Sequence, residues 1–194
     1  MPRPSDKVVL ETPRLYLREF TSDDALLLFE LDSDPEVMRF ITKGQSTPLG
    51  QIQDEILPRV LGYYTRFPPF GVWAAHRQAD DAFIGWYHLR PDKLEPDQME
   101  LGYRLKREVW GRGLATEGAA ELLRAGFGAW HCDKITARTL RLNLASRRVM
   151  EKIGLRFETE FLYPAEMLPE WSEEERRAVK YSLRKEQFDA GGRL

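Results

Sequence analysis

Met99-Glu-Leu-Gly-Tyr-Arg-Leu105, followed four residues later by Trp110-Gly-Arg-Gly-Leu-Ala-Thr-Glu117, is the stretch on which the fold turns. Met99, Leu101, Tyr103 and Leu105 alternate with Glu100, Gly102 and Arg104, the period-two pattern of a half-buried strand. From Leu114 the period changes. Leu114, Ala115, Gly118, Ala119, Leu122, Leu123, Gly126, Phe127 and Trp130 share one helical face. Gly111 and Gly113 stand between the strand and the helix, where they permit a tight turn and let a ligand reach the backbone without a Cβ in the way. The first N–H groups of a helix and its dipole favour an anion, and a diphosphate is the natural occupant. The same glycines also fit a tight turn that binds nothing. The spacing is neither the G-x-G-x-x-G of a dinucleotide fold nor a P-loop, since no Gly-Lys-Ser/Thr follows.

Outward from this centre, Ile135 to Leu140 reads as a strand. Asn143 is a plausible N-cap for a helix ending at Ile153, with Gly154 where a C′ glycine belongs. Leu155 to Tyr163 and Ala178 to Leu183 read as further strands. Upstream, Val72 to His76 and Phe83 to Leu89 flank the turn Gln78-Ala-Asp-Asp81 as a hairpin. Val8 to Arg18 reads as one extended segment, and Thr21 to Asp24 offers N-caps for a helix through Asp32. Pro35 opens a short helix, and Pro48 opens a longer one toward Tyr64 that Pro58 should break or kink. Hairpins mixed with β-α-β crossovers imply an α/β (α+β) mixed sheet with helices on both faces.

The 194 residues suit a single domain, 1–194, with a substantial core. Apolar residues make up 42% and charged residues 31%, an ordinary globular balance. With 29 basic against 31 acidic side chains the net charge is −2, which disfavours a nucleic-acid binder. Met1 to Pro13 lacks the apolar core of a signal peptide, and no apolar run is long enough to span a bilayer. One cysteine, Cys132, precludes an internal disulfide and suits a cytoplasmic protein. His76, His88 and His131 have no metal-ligand spacing, so no metal is expected.

These segments together resemble the GNAT superfamily of N-acyltransferases, nearest to its RimJ/RimL-like branch. Trp110 to Ala115 fits the acyl-CoA signature R/Q-x-x-G-x-G/A, with Trp110 replacing the first residue. Asn143-Leu-Ala-Ser146, continued to Glu151-Lys-Ile-Gly154, is similar to that branch's N-x-x-S helix ending in E-K-x-G. The likeness extends to Leu10–Arg18, Asp34–Phe40 and Tyr181–Leu183. His88 replaces a glycine often found after Ile84-Gly85, and Arg176-Arg177 lie where an acidic residue often precedes the last strand.

The resemblance implies a mostly antiparallel sheet of about seven strands, splayed at the coenzyme site, and transfer of acetyl from acetyl-CoA to a primary amine. It assigns backbone contacts with the pantetheine arm to Tyr103, Arg104 and Leu105. The diphosphate would lie on the N–H groups of Gly111, Arg112, Gly113, Leu114, Ala115 and Thr116, with Arg107 and Arg112 as added charge. It puts Asn143 beside the pantetheine and Ser146 near the thioester sulfur; Asn143 alternatively only caps its helix. Ala145, Val149 and Ile153 form a stripe better suited to the core.

A neutral amine is needed for attack, yet an α-amine titrates near ~8 and a lysine near ~10.4, so a base is expected. Glu100 is the best candidate, an ion-paired strand glutamate being its alternative. Ser146 would donate to the departing thiolate, with Tyr163 a weaker donor. Partners are then acetyl-CoA and an amine, as monomer or homodimer, with neither nucleic acid nor membrane. A CoA-sensing or nucleic-acid-binding module using Arg138, Arg141, Arg147 and Arg148, or a transferase of longer acyl groups, is the competing reading. The acidic run Glu166 to Glu175 would draw a cationic acceptor or form a solvated loop.

Overall fold

The computed structural model describes residues 7–190, so the first six residues of the opening stretch lie outside the described residues. Eight strands form one sheet: β1 (Val8–Glu11), β2 (Leu15–Glu19), β3 (Gly71–Arg77), β4 (Phe83–Pro91), β5 (Met99–Leu105), β6 (Lys134–Leu140), β7 (Arg156–Leu162) and β8 (Arg177–Arg184). Their order is β1-β2-β3-β4-β5-β6-β8-β7, and every neighbouring pair is antiparallel except β5 and β6.

The sheet has eight strands where about seven were expected, because the segment from Val8 to Arg18, read as one extended run, is divided in two. Pro13 cannot donate to a ladder. Thr12 closes the turn there, its N–H donating to the Leu15 carbonyl at 2.8 Å and its hydroxyl accepting from Leu15 N–H at 3.1 Å. β1 and β2 are therefore a hairpin.

On one face lie α1 (Ala25–Asp32), α2 (Pro35–Met38), α3 (Leu49–Gln51) and α4 (Leu57–Arg66). Leu28, Leu31, Ile52, Leu57 and Val60 pack there against Val72, Ala74 and Phe83. Between α3 and α4 the chain widens into one π-turn, Ile52–Ile56. Pro58 has no N–H and its ring displaces the carbonyl four residues earlier, which accounts for the break at this place.

The opposite face carries α5 (Leu114–Phe127), α6 (Leu144–Lys152) and α7 (Lys185–Ala190). Leu114, Ala119, Leu122, Leu123 and Phe127 of α5 are buried against Tyr87, Leu89, Leu101 and Ile135. Gly118 lets α5 settle onto the sheet, because a Cβ there would stand 2.5 Å from the Tyr87 ring. α7, absent from the sequence expectations, docks Phe188 against Phe127 with ring centroids 5.0 Å apart.

Candidate active site

β5 and β6 pair only at Met99–Ile135 and Glu100–Thr136. Beyond that they part, and the β5 edge from Leu101 to Leu105 has no strand partner on the β6 side. The gap opens a cleft of about 840 Å3 that passes along β5, the Gly111–Thr116 turn and α6.

The turn is shaped by its glycines and held from behind. Gly111 and Gly113 have φ of 73° and 78°, the left-handed region that glycine adopts without strain. The Arg14 guanidinium donates to the Arg112 carbonyl at 2.8 Å and to Glu117 at 2.6 Å, while the Thr12 hydroxyl donates to Glu117 at 2.6 Å. The Tyr87 hydroxyl fixes the Leu114 carbonyl at 2.8 Å. Trp110, standing in the signature's cation position, donates its indole N–H to the Leu105 carbonyl at 2.9 Å and ties the turn to β5. Among the described residues no acceptor takes the N–H groups of Gly111 to Thr116; the first to bond is Glu117, to the Gly113 carbonyl at 3.0 Å. That row of open donors begins a 14-residue helix whose dipole reinforces it.

Across the cleft, Asn143 caps α6 by accepting from Ser146 N–H at 3.2 Å. The Tyr103 hydroxyl reaches from β5 to donate to Ser146 Oγ at 3.4 Å, and both residues line the cleft. Burial raises the Tyr103 pKa to about 12, which keeps the phenol protonated. Ala145, Val149 and the buried Met150 also border the cleft, whereas Ile153 is buried and does not line it. The expected stripe of Ala145, Val149 and Ile153 is thus corrected, because where the strands part there is no sheet surface for Ala145 and Val149 to cover.

Glu100 lies in the cleft on the sheet face opposite Leu101. Its side chain is 14% exposed and pairs with Arg90 at 2.8 Å, with His88 Nε2 at 3.8 Å. Burial raises its pKa, and the Arg90 charge pulls it back in part. The His88 ring stacks on Trp86 and fits over Gly102, where a Cβ would come within 2.7 Å of it. Burial, then the charge of Arg90, keeps His88 well below its ordinary value, so the imidazole is neutral. Tyr163 borders the same end, its pKa raised by burial and by the charge of Glu100.

Two expected residues stand apart from this assembly. Arg107 lines a separate depression with Glu30, Lys106 and Glu108, and the Arg112 side chain does not border the cleft. Both are exposed. Two cations of α6 do line the cleft: Arg148, which the sequence offered only to nucleic acid, and Lys152, which it did not single out although their i, i+4 spacing was the available signal. Arg104 borders the cleft, but its side chain pairs with Asp32 and lies 5.1 Å from the Trp86 ring. Of the proposed nucleic-acid cluster, Arg138 is buried on Asp92 and Glu95, Arg141 pairs with Glu174, and Arg147 meets the Tyr181 hydroxyl. The acidic loop spends Glu175 on Lys43 and Ser172, and Glu170 accepts from Gln45. Cys132 is buried, its thiol pushed up to about 11 by burial and by Asp133. Among the described residues no helix is long and apolar enough to cross a membrane.

The family model described as an acetyltransferase (GNAT) domain matches residues 14–156, and the chain belongs to that family of acyltransferases. It is 30% identical over 189 residues to FsC-acetyl coenzyme A-N(2)-transacetylase of Aspergillus fumigatus, covering 92% of this chain and 77% of that protein. The fold is also that of a GNAT-family acetyltransferase from Bacillus anthracis (TM-score 0.75, 23% identity, 91% and 98% of the two chains). A RimL ribosomal L7/L12 α-N-protein acetyltransferase in complex with coenzyme A is similar in fold at TM-score 0.73 and 12% identity, over 92% and 98% of the chains.

Proposed function

We propose that this enzyme moves an acetyl group from acetyl-CoA to a primary amine, both substrates being bound together in the cleft. The observation that carries this reading is the row of unbonded N–H groups from Gly111 to Thr116 beside an unpaired strand edge. The open donors suit a diphosphate, and the β5 edge from Tyr103 to Leu105 suits the amides of a pantetheine arm. Arg148 and Lys152 supply the positive charge that Arg107 and Arg112 do not bring to the cleft. When bound, acetyl-CoA supplies the thioester; the protein's residues hold and move protons.

Glu100 takes the proton from the amine as the C–N bond forms. Its raised pKa brings it nearer the amine's own and improves it as a base. Ser146 gives a proton toward the departing sulfur as the C–S bond breaks, and Tyr103, kept protonated, holds the Ser146 hydroxyl in place. Within the family, the N-x-x-S helix supports the RimJ/RimL-like branch.

Following free thiol with acetyl-CoA and a panel of primary amines tests the reaction, and absence of CoA binding at millimolar ligand refutes it. Glu100→Gln should lower the turnover rate with CoA affinity retained, the deficit shrinking as pH rises. An unaltered pH–rate profile would reject Glu100 as the base.

A further inference from the structure

The cleft has two chemically different ends, because β5 runs from the turn after Pro91 to the glycine turn, about 20 Å away. At the end far from the glycines, Arg90, Lys93 and Arg138 border the cleft. Arg90 is matched by Glu100 at 2.8 Å, and Arg138 by Asp92 and Glu95. Lys93 is different. Among the described residues no carboxylate pairs with it, although Asp92 is its neighbour in sequence.

Asp92 is already committed. One of its oxygens accepts from Leu94 N–H at 2.7 Å and Glu95 N–H at 3.2 Å; the other accepts from Arg138 and from the Thr136 hydroxyl. These bonds also pin the turn, so Lys93 is held at the rim on a braced backbone. Lys93 is exposed at the cleft rim, where the like charges of Arg90 and Arg59 act against its ammonium and Glu100 acts for it. A polyamine entering here meets repulsion at the rim. A molecule with both an ammonium and a carboxylate meets the opposite charge at each group, Glu100 for one and Lys93 for the other.

We propose that the acceptor is a small amine carrying its own carboxylate, which binds Lys93 while the amine faces Glu100. This rests on the transferase reading above and narrows its substrate class. The test uses thiol release with matched acceptors, amino acids of increasing chain length and their carboxamides, at saturating acetyl-CoA. The carboxamide-to-carboxylate ratio of KM is measured in the wild type, Lys93→Arg and Lys93→Glu, so differences in amine basicity cancel between proteins. Lys93→Glu should lower that ratio by about tenfold, roughly 1.4 kcal/mol and the size of one contact to a charged group, while Lys93→Arg holds it within about twofold. CoA affinity measured on the same preparations verifies that each variant is folded. Transfer to both acceptor types with a ratio unmoved by Lys93→Glu, or a wild-type preference for spermidine, overturns the inference and leaves the transferase reading standing. Absence of transfer to these acceptors with CoA bound overturns the inference alone, and absence of CoA binding overturns both.

Discussion

Replacing Gly113 isolates the contribution of the turn, because its costs can be separated from the coordinates. A Cβ built on Gly113 meets only Arg14 Nη2 at 3.5 Å, an ordinary contact, so alanine brings no clash. What it brings is a left-handed residue at φ 78° and ψ 2°, which costs about 1–2 kcal/mol for a side chain with no local compensation. Gly113→Asn should lose less, since asparagine tolerates this region. Gly113→Glu adds the same backbone strain and a negative charge beside the diphosphate. At about 4 Å that repulsion is about 1 kcal/mol in a water-like medium and about 4 kcal/mol at the dielectric of a protein surface. Gly113→Gln has the bulk without the charge. Calorimetric titration with CoA should therefore rank affinity as glycine, asparagine, alanine and glutamine, then glutamate. The glutamate-to-glutamine gap should lie between about fivefold and a thousandfold and shrink in high salt. Equal affinity for the glutamate and glutamine variants would refute the placement of an anion on this turn.

Other consequences follow from packing and charge. Arg90→Met removes the cation that partly offsets the burial of Glu100, so the acidic limb of the pH–rate profile should move up by about 1–3 pH units. A limb at the wild-type position would show that another group titrates. Gly102→Ala should destabilise the fold by about 1–3 kcal/mol in chemical denaturation, because the new methyl would sit 2.7 Å from a His88 ring already stacked on Trp86; a second change, His88→Ala, should recover most of it. Asp24→Asn should cost about 3–5 kcal/mol, since the buried Arg18 bonds that carboxylate at 2.7 and 3.0 Å. Burial raises the Asp24 pKa, but the bonds from Arg18 and Thr21 outweigh it and leave the folded value below the ordinary 3.8. Its stabilisation is accordingly present above that value and lost as pH falls through the folded one, so the wild-type advantage over Asp24→Asn should fade in strong acid.

The parts of the fold that were legible in the chain are those specified by neighbours in sequence. The change of period between Leu105 and Leu114, the glycine pair, and the Asn143 and Gly154 caps each act within one or two turns of backbone. What escaped the sequence reading depends on contacts that sequence spacing does not reveal. Thr12 and Pro13 form a turn only because Leu15 returns to bond with Thr12, and β1 then has β2 beside it. α7 is six residues long and mostly polar; Phe188 needs Phe127, far away in sequence, to hold it. At the candidate site, Glu100 stood out through alternation, yet its partner Arg90 and the Arg14–Glu117 brace behind the turn join residues on different elements. Arg107 and Arg112 lie near the glycines along the chain yet do not line the cleft, since proximity in sequence does not say toward which side of a turn a side chain projects.

The parting of β5 from β6 has a consequence for the molecule as a whole. Strands one to five and strands six to eight meet directly through two register pairs, the remaining union being made by helices and side chains. A ligand lying in that seam would serve as a surrogate ninth strand, bonding to backbone that the polypeptide itself leaves open. On the proposed reading, occupancy then knits the two flanks together, and the coenzyme is at once a reactant and a structural member of the sheet.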